Sequence, residues 1–183
     1  MDWMVMGEAI WLILPAYLAN ASAVVLGGGR SVDGGRMWHG ARLLGDGKTW
    51  RGLLAGVAVG ALAGVIMSIA VPETYGDGVA AIPVIVALPL GALAGDMTES
   101  FLKRRRGVES GESWPVADQM DFLLGALLLS YLASALFDGS ASDNWFLRHF
   151  GPWHVGFLLV FTPLVHYLAN VTGYLAGLKK VPW

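Results

Sequence analysis

"LAGDMTESFLKRRRGVESGESWPVADQMDF", Leu93 to Phe122, is the stretch on which the reading of this chain turns. Apolar sequence long enough to lie in a membrane flanks it on both sides. Between those flanks it gathers the basic run Lys103 to Arg106 and the carboxylates Asp96, Glu99, Asp118 and Asp121. Charge concentrated at the edge of a hydrocarbon zone is costly unless it faces water, a protein interior or a ligand.

The composition sets the context. Of 183 residues 55% are hydrophobic and 14% charged, with a mean hydropathy of +0.57, a balance that soluble domains seldom show. The absence of cysteine excludes disulfides, thiolate metal sites and cysteine nucleophiles. Crossing about 30 Å of hydrocarbon takes about 20 apolar helical residues. Runs free of Asp, Glu, Lys and Arg occur at Ala9–Gly29, Gly52–Pro72, Gly78–Gly95, Phe122–Phe137 and Gly151–Leu178. The fourth covers only roughly 24 Å of helix, so its helix must draw in the charged flank, with Asp121 at membrane depth or in a wet recess. The expectation is an all-α, polytopic membrane helix bundle in a single domain, residues 1–183, with five transmembrane helices at about 9–29, 52–72, 78–100, 119–137 and 153–177. Gly56, Gly60 and Gly64, four apart in the second span, permit close helix packing.

Loop charges orient the bundle. Arg30, Arg36, Arg42, Lys48 and Arg51 join the first two spans, Lys103 to Arg106 join the third and fourth, and Lys179 and Lys180 follow the fifth; Arg148 alone falls on the other side. The positive-inside rule makes the basic side cytoplasmic, with the N-terminus outside and the C-terminus cytoplasmic, as for a multi-pass protein of the plasma membrane. Trp3, Trp50, Trp114, Trp145, Trp153 and Trp183 near span ends agree with interfacial aromatic belts. No basic region precedes the first span, which reads as retained rather than as a cleaved signal.

Two loops, 30–51 and 96–121, carry the chemistry. "GGGRSVDGGRMWHGARLLGDGKTWRG", 27–52, has Asp-Gly turns around basic residues, a combination suited to phosphate although not a Walker A loop. A solvated loop obeying the topology bias is the bland alternative. In the second loop, a helix continuing past Gly95 puts Asp96, Ser100 and Lys103 on one face, bordered by Glu99, while Asp118 and Asp121 stand at the head of the fourth span. Carboxylates with Lys and Arg suit Mg²⁺ holding a nucleotide's phosphates, hence a metal-assisted reaction of a nucleoside triphosphate with a lipid. A small transporter is the competing reading, but the span centres carry no ionisable residue except His166.

"GDMTESFLKRRRGVESGESWPVADQMDF" resembles the signature of the CDP-diacylglycerol synthases through Gly95, Asp96, Glu99, Ser100, Lys103, Arg104, Pro115, Asp118 and Asp121, and "GDGKTWRG" resembles a second segment through Lys48, Thr49 and Gly52. Glu109-Ser110 replaces that family's Lys-Asp pair, and the turn after Pro115 is shortened. These departures are similar to the archaeal CDP-archaeol synthases, compact five-span relatives, as is "LPAYLANA", 14–21.

The resemblance implies CMP transfer from CTP to an unsaturated archaetidic acid, releasing pyrophosphate and forming CDP-archaeol. Its partners would be CTP, an isoprenoid glycerol-phosphate lipid and membrane lipids, with no nucleic acid, and a homodimer is allowed. Asp96, Lys103, Asp118 and Asp121 are the implied catalytic residues. Asp118 and Asp121, with Asp96, are the implied Mg²⁺ ligands. Arg36, Lys48, Thr49, Arg51, Ser100 and Arg104 are the implied substrate-binding residues, and Asn20, polar within the first span, is a candidate either for lining the cavity or for a helix-packing hydrogen bond. A CDP-diacylglycerol synthase-like enzyme and a polyisoprenol or lipid kinase remain the alternatives.

Overall fold

The computed structural model describes residues 3–76, 79, 81–109, 112, 114 and 116–175. Expectations that fall on Gly78, Ser110, Pro115, residues 176–178, Lys179, Lys180 and Trp183 lie outside them. Five helices are long and apolar enough to cross a membrane: α1 (Trp3–Val25), α2 (Trp50–Ala70), α3 (Ala81–Arg105), α4 (Ala117–Phe137) and, after a short α5 (Trp145–His149), α6 (Pro152–Leu175). A 3₁₀ turn, Pro72–Tyr75, follows α2.

The ends differ from the apolar runs for local reasons. α1 begins before residue 9 and carries Glu8 within it, and it stops at Val25 because Gly28 and Gly29 turn the chain with φ of 106° and 79°. Thr49 caps α2, accepting from the Gly52 amide at 3.1 Å. Pro72 closes it by forcing Val71 into extended backbone. α3 runs on to Arg105, beyond the expected residue 100, with Lys103, Arg104 and Arg105 in its last turn where a helix dipole favours cations. α4 starts at Ala117, two residues before the expected 119, and includes Asp121, as the shortness of its apolar run required, together with Asp118.

The fold is all-helical as expected, with one small addition. Within the first loop, β1 (Met37–Trp38) pairs antiparallel with β2 (Ala41–Arg42), Met37 opposite Arg42. The turn His39-Gly40 has positive φ at both residues, 49° and 78°, the twist that a two-residue hairpin prefers.

α3 is the central helix, its apolar window half buried, whereas that of α6 is 12% buried. Ala9, Leu12, Ile13 and Ala16 of α1, at helical spacing, pack with Val84, Ile85, Leu88 and Ala92 of α3 and Phe122, Leu123 and Ala126 of α4. The α2 glycines fulfil the packing expectation. A Cβ on Gly60 would lie 2.5 Å from Pro89 Cβ and 2.6 Å from the Pro15 carbonyl oxygen. Without a hydrophobic drive between helices in lipid, such backbone approach is what brings them together.

Candidate active site

The site begins where α3 crosses α4. A Cβ on Gly95 would sit 2.1 Å from the Asp121 carbonyl oxygen, and one on Gly125 would sit 2.2 Å from that of Gly91. Glycine at both places allows this contact, and it sets Asp96, next to Gly95, beside Asp121 on the facing helix. Asp121 lies within electrostatic reach of Asp96, Glu99 and Lys48. Its Oδ1 accepts from the Phe122 amide at 2.5 Å.

The first loop is built around Asp33. This buried carboxylate accepts from Arg42 Nη2 at 2.8 Å and Nε at 3.2 Å, and from the amides of Gly35, Leu44 and Gly45 at 3.0, 3.0 and 3.2 Å. The Arg42 guanidinium, helped by those amides, holds the Asp33 carboxyl well below the usual carboxylate range against the opposing effect of burial. Arg42 in turn is pushed above its ordinary value by Asp33 and then Asp46. The loop closes where Val32 N donates to the Lys48 carbonyl at 2.7 Å and Trp50 N to that of Arg30 at 3.1 Å. Lys48 is thereby delivered to α3, where Nζ contacts both Asp96 oxygens at 2.6 and 2.7 Å.

A second charged group forms between α3 and α4. Lys103 Nζ lies 2.6 Å from Asp118 Oδ1 and 3.1 Å from Glu99 Oε1, and donates to the Glu112 carbonyl at 3.1 Å. Glu99 and Lys103 are buried. Asp118 Oδ2 accepts from the Trp114 amide at 3.0 Å, fixing the start of α4.

The structure therefore brings Lys48 to Asp96 and Lys103 to Asp118. Ser100 is buried on α3, and Arg104 is half-buried with Nη2 donating to the Glu109 carbonyl at 3.1 Å. Arg36 and Arg51 are exposed, the one beside β1 and the other in the first turn of α2. Thr49 is buried, and its hydroxyl accepts from the amides of both Gly28 and Gly52 at 3.1 Å. Sequence reasoning passed over Asp33 and left Glu99 at the border of the site. The Asp-Gly-Gly turn signalled the first, and the i, i+4 pairing with Lys103 the second.

Two spaces adjoin these charges. A small pocket is lined by Asn20, Lys48, Thr49 and Asp96 among others. A larger groove runs along α3 and α4. Glu99, Trp114 and Asp121 stand at its charged end, and Leu124, Leu128 and Leu132 line its length.

Among the described residues no three His, Asp or Glu side chains stand close enough together to hold one metal ion. The donor chemistry nevertheless fits magnesium: every candidate is a hard carboxylate oxygen, and Glu99 Oε1 and Asp118 Oδ1 are held only by the exchangeable Lys103 ammonium, at 3.1 and 2.6 Å.

Comparison with known proteins assigns the family. A family model described as CarS-like, CDP-archaeol synthase, matches residues 3–183. The CDP-archaeol synthase of Thermococcus gammatolerans is 47% identical over 96% of this chain and 95% of its own, and that of Methanosarcina acetivorans is 45% identical over 93% of this chain and 100% of its own. A solved structure described as "Structural insight into an intramembrane enzyme for archaeal membrane lipids biosynthesis" superposes with a TM-score of 0.74 at 43% identity, covering 91% of this chain and 94% of the other. Five apolar helices and an intramembrane neighbour make this a multi-pass membrane protein, and the chain belongs to the CDP-archaeol synthase family.

Proposed function

We propose that this chain transfers CMP from CTP to the phosphate of a di-isoprenoid glyceryl phosphate, forming CDP-archaeol and releasing pyrophosphate. One observation carries the reading: the charged cluster and the apolar groove share Glu99 and Asp121 at a common mouth, so a water-soluble anion and a lipid phosphate can meet there. Leu124, Leu128 and Leu132 offer saturated or unsaturated isoprenoid tails the same apolar wall, and the geranylgeranyl form is the substrate we assign.

Lys48 and Lys103 neutralise CTP phosphates, and Arg36, Arg51 and Arg104 add positive charge around them. Each lysine already sits on a carboxylate, so an arriving triphosphate exchanges partners: the ammonium groups turn to phosphate and the Asp96 and Asp118 oxygens are released. Asp118 and Asp121, with Asp96, are the carboxylates that would hold magnesium once triphosphate draws them together, and the ion would supply charge neutralisation to the phosphates. A lipid phosphate oxygen attacks the α-phosphorus in line. The new P–O bond forms as the bond to the β-phosphate bridging oxygen breaks, and pyrophosphate leaves with the electron pair. The attacking oxygen is already anionic, so no general base is needed, and the residues act by positioning and electrostatics. Ser100 hydrogen-bonds a phosphate oxygen, and Thr49 holds the loop that carries Lys48. The basic end faces the cytoplasm, where CTP is available.

The test is purified protein in detergent with Mg²⁺, CTP and either geranylgeranyl or diacyl phosphatidic substrate. Pyrophosphate release with a CDP-lipid, faster for the isoprenoid substrate, is expected. Production of CDP and a doubly phosphorylated lipid would instead establish a kinase, and failure to turn over nucleotide with folded protein would end the enzymatic reading.

A further inference from the structure

Arg105 takes no part in the chemistry above, yet it makes the most extensive contact between the first loop and α3. Its Nη1 donates to the Trp38 carbonyl, and Nη2 donates to those of Ala41 at 3.3 Å and Arg42 at 2.7 Å. The guanidinium carbon lies 5.7 Å from the Trp38 ring centroid and 5.2 Å from that of Phe101, and the two rings are 5.8 Å apart. One planar cation thus satisfies three hairpin carbonyls while stacking between the hairpin and its own helix.

Position gives this contact its meaning. Arg105 is nine residues beyond Asp96, which at about 100° per residue puts it on the opposite side of α3. The first loop therefore straddles the end of the helix, with Lys48 on Asp96 at one side and the hairpin on Arg105 at the other. Lys48 and Arg36 come from this loop, and Lys103 and Arg104 from the helix it grips. We propose that Arg105 is a positioning residue that docks the hairpin on α3, so that the cations of the first loop and those of α3 form one preassembled triphosphate site. The inference rests on the cytidylyltransferase reading and assigns to Arg105 a role in CTP affinity, not in the chemical step. Released from Arg105, this glycine-rich segment would have to be ordered when CTP binds, and that cost would fall on KM.

The experiment measures KM for CTP, KM for lipid and kcat, together with tryptic cleavage within residues 30–51 with and without CTP. Arg105→Ala should raise KM for CTP by about tenfold, with kcat and the lipid KM within about threefold, and should expose the loop to trypsin. Arg105→Lys keeps the charge but not the planar fork, and should retain most of the defect. Trp38→Ala removes the stacked ring and leaves the carbonyls in place, so a smaller shift in the same direction is expected. An unchanged KM for CTP in folded Arg105→Ala, or full rescue by lysine, overturns the proposal. If the alanine variant fails to fold, Arg105→Lys and Trp38→Ala decide by the same constant. Wild-type protein that forms no CDP-lipid overturns the underlying reading and the inference with it, whereas an active wild type with unchanged KM in the variants overturns the inference alone.

Discussion

The two ends of the bundle bury polar groups in opposite ways. At the end away from the basic loops, Trp145 is fully buried with Nε1 donating to the Thr74 carbonyl at 3.0 Å. Asn144, also fully buried, accepts from the Leu147 amide at 3.2 Å and the Ser134 hydroxyl at 3.0 Å while donating to the Ser140 carbonyl at 2.6 Å. Asp138 accepts from the Trp145 amide at 2.7 Å and from Arg148 at 2.5 Å. These groups are tied to one another and to the backbone by direct hydrogen bonds, as a structural plug requires. At the charged end, Glu99 and Asp118 are held by ion pairs to one ammonium, that of Lys103, at 3.1 and 2.6 Å. Such charge is costly to bury, and clusters of this kind mark candidate ligand sites.

That contrast can be broken by mutation. The largest effect is expected from Asp118→Asn or Asp121→Asn, each lowering kcat by about 10³-fold or more while the protein stays folded in detergent. Near-normal turnover in both would remove the metal assignment. Gly125→Ala comes next: a methyl group meeting backbone oxygen on α3 has no flexible neighbour to displace, so the helices must part. Stability should fall by at least about 3 kcal/mol, and activity should fall further than stability accounts for, because Asp96 and Asp121 separate. Lys48→Ala should cut kcat/KM for CTP roughly thirtyfold, and unchanged kinetics would detach the first loop from the site.

The opposite end supplies the control. Asn144→Ala should cost about 2 kcal/mol of stability through its lost cap and buried bonds, read as a lower Tm, with kcat/KM of the folded fraction unchanged. The smallest effect concerns pH. Asp33 has its folded pKa depressed chiefly by Arg42, so its contribution to the loop is complete above the unfolded carboxylate range, near pH 4, and is lost as pH falls toward the depressed folded value. The loop should keep its tryptic resistance from neutral pH down to about pH 5 and lose it only in stronger acid. Asp33→Asn should be susceptible at every pH.

Much of the fold was legible because the membrane imposes a length on each apolar run. The sixteen residues of Phe122–Phe137 even required that the fourth helix draw in Asp121, as it does, although its start at Ala117 also takes in Asp118, ahead of the expected residue 119. The hairpin was not legible, since Met37-Trp38 and Ala41-Arg42 are too short for a periodic signal and are held by Arg105, more than sixty residues away in sequence. Thr49 shows a similar limit: its place beside Lys48 suggested a phosphate contact, and only the structure shows that its hydroxyl also accepts from the Gly28 and Gly52 amides, capping α2.

By itself the sequence determined five apolar helices, the gathering of basic residues in a few loops and the carboxylates that those loops bring to the hydrocarbon edge, because length, charge and hydropathy act locally along the chain. Tertiary structure alone decided which charges pair. Lys48 meets Asp96 across forty-eight residues, and Asp121 stands beside Asp96 because glycines at 91, 95 and 125 let two backbones approach to a distance that any side chain would forbid.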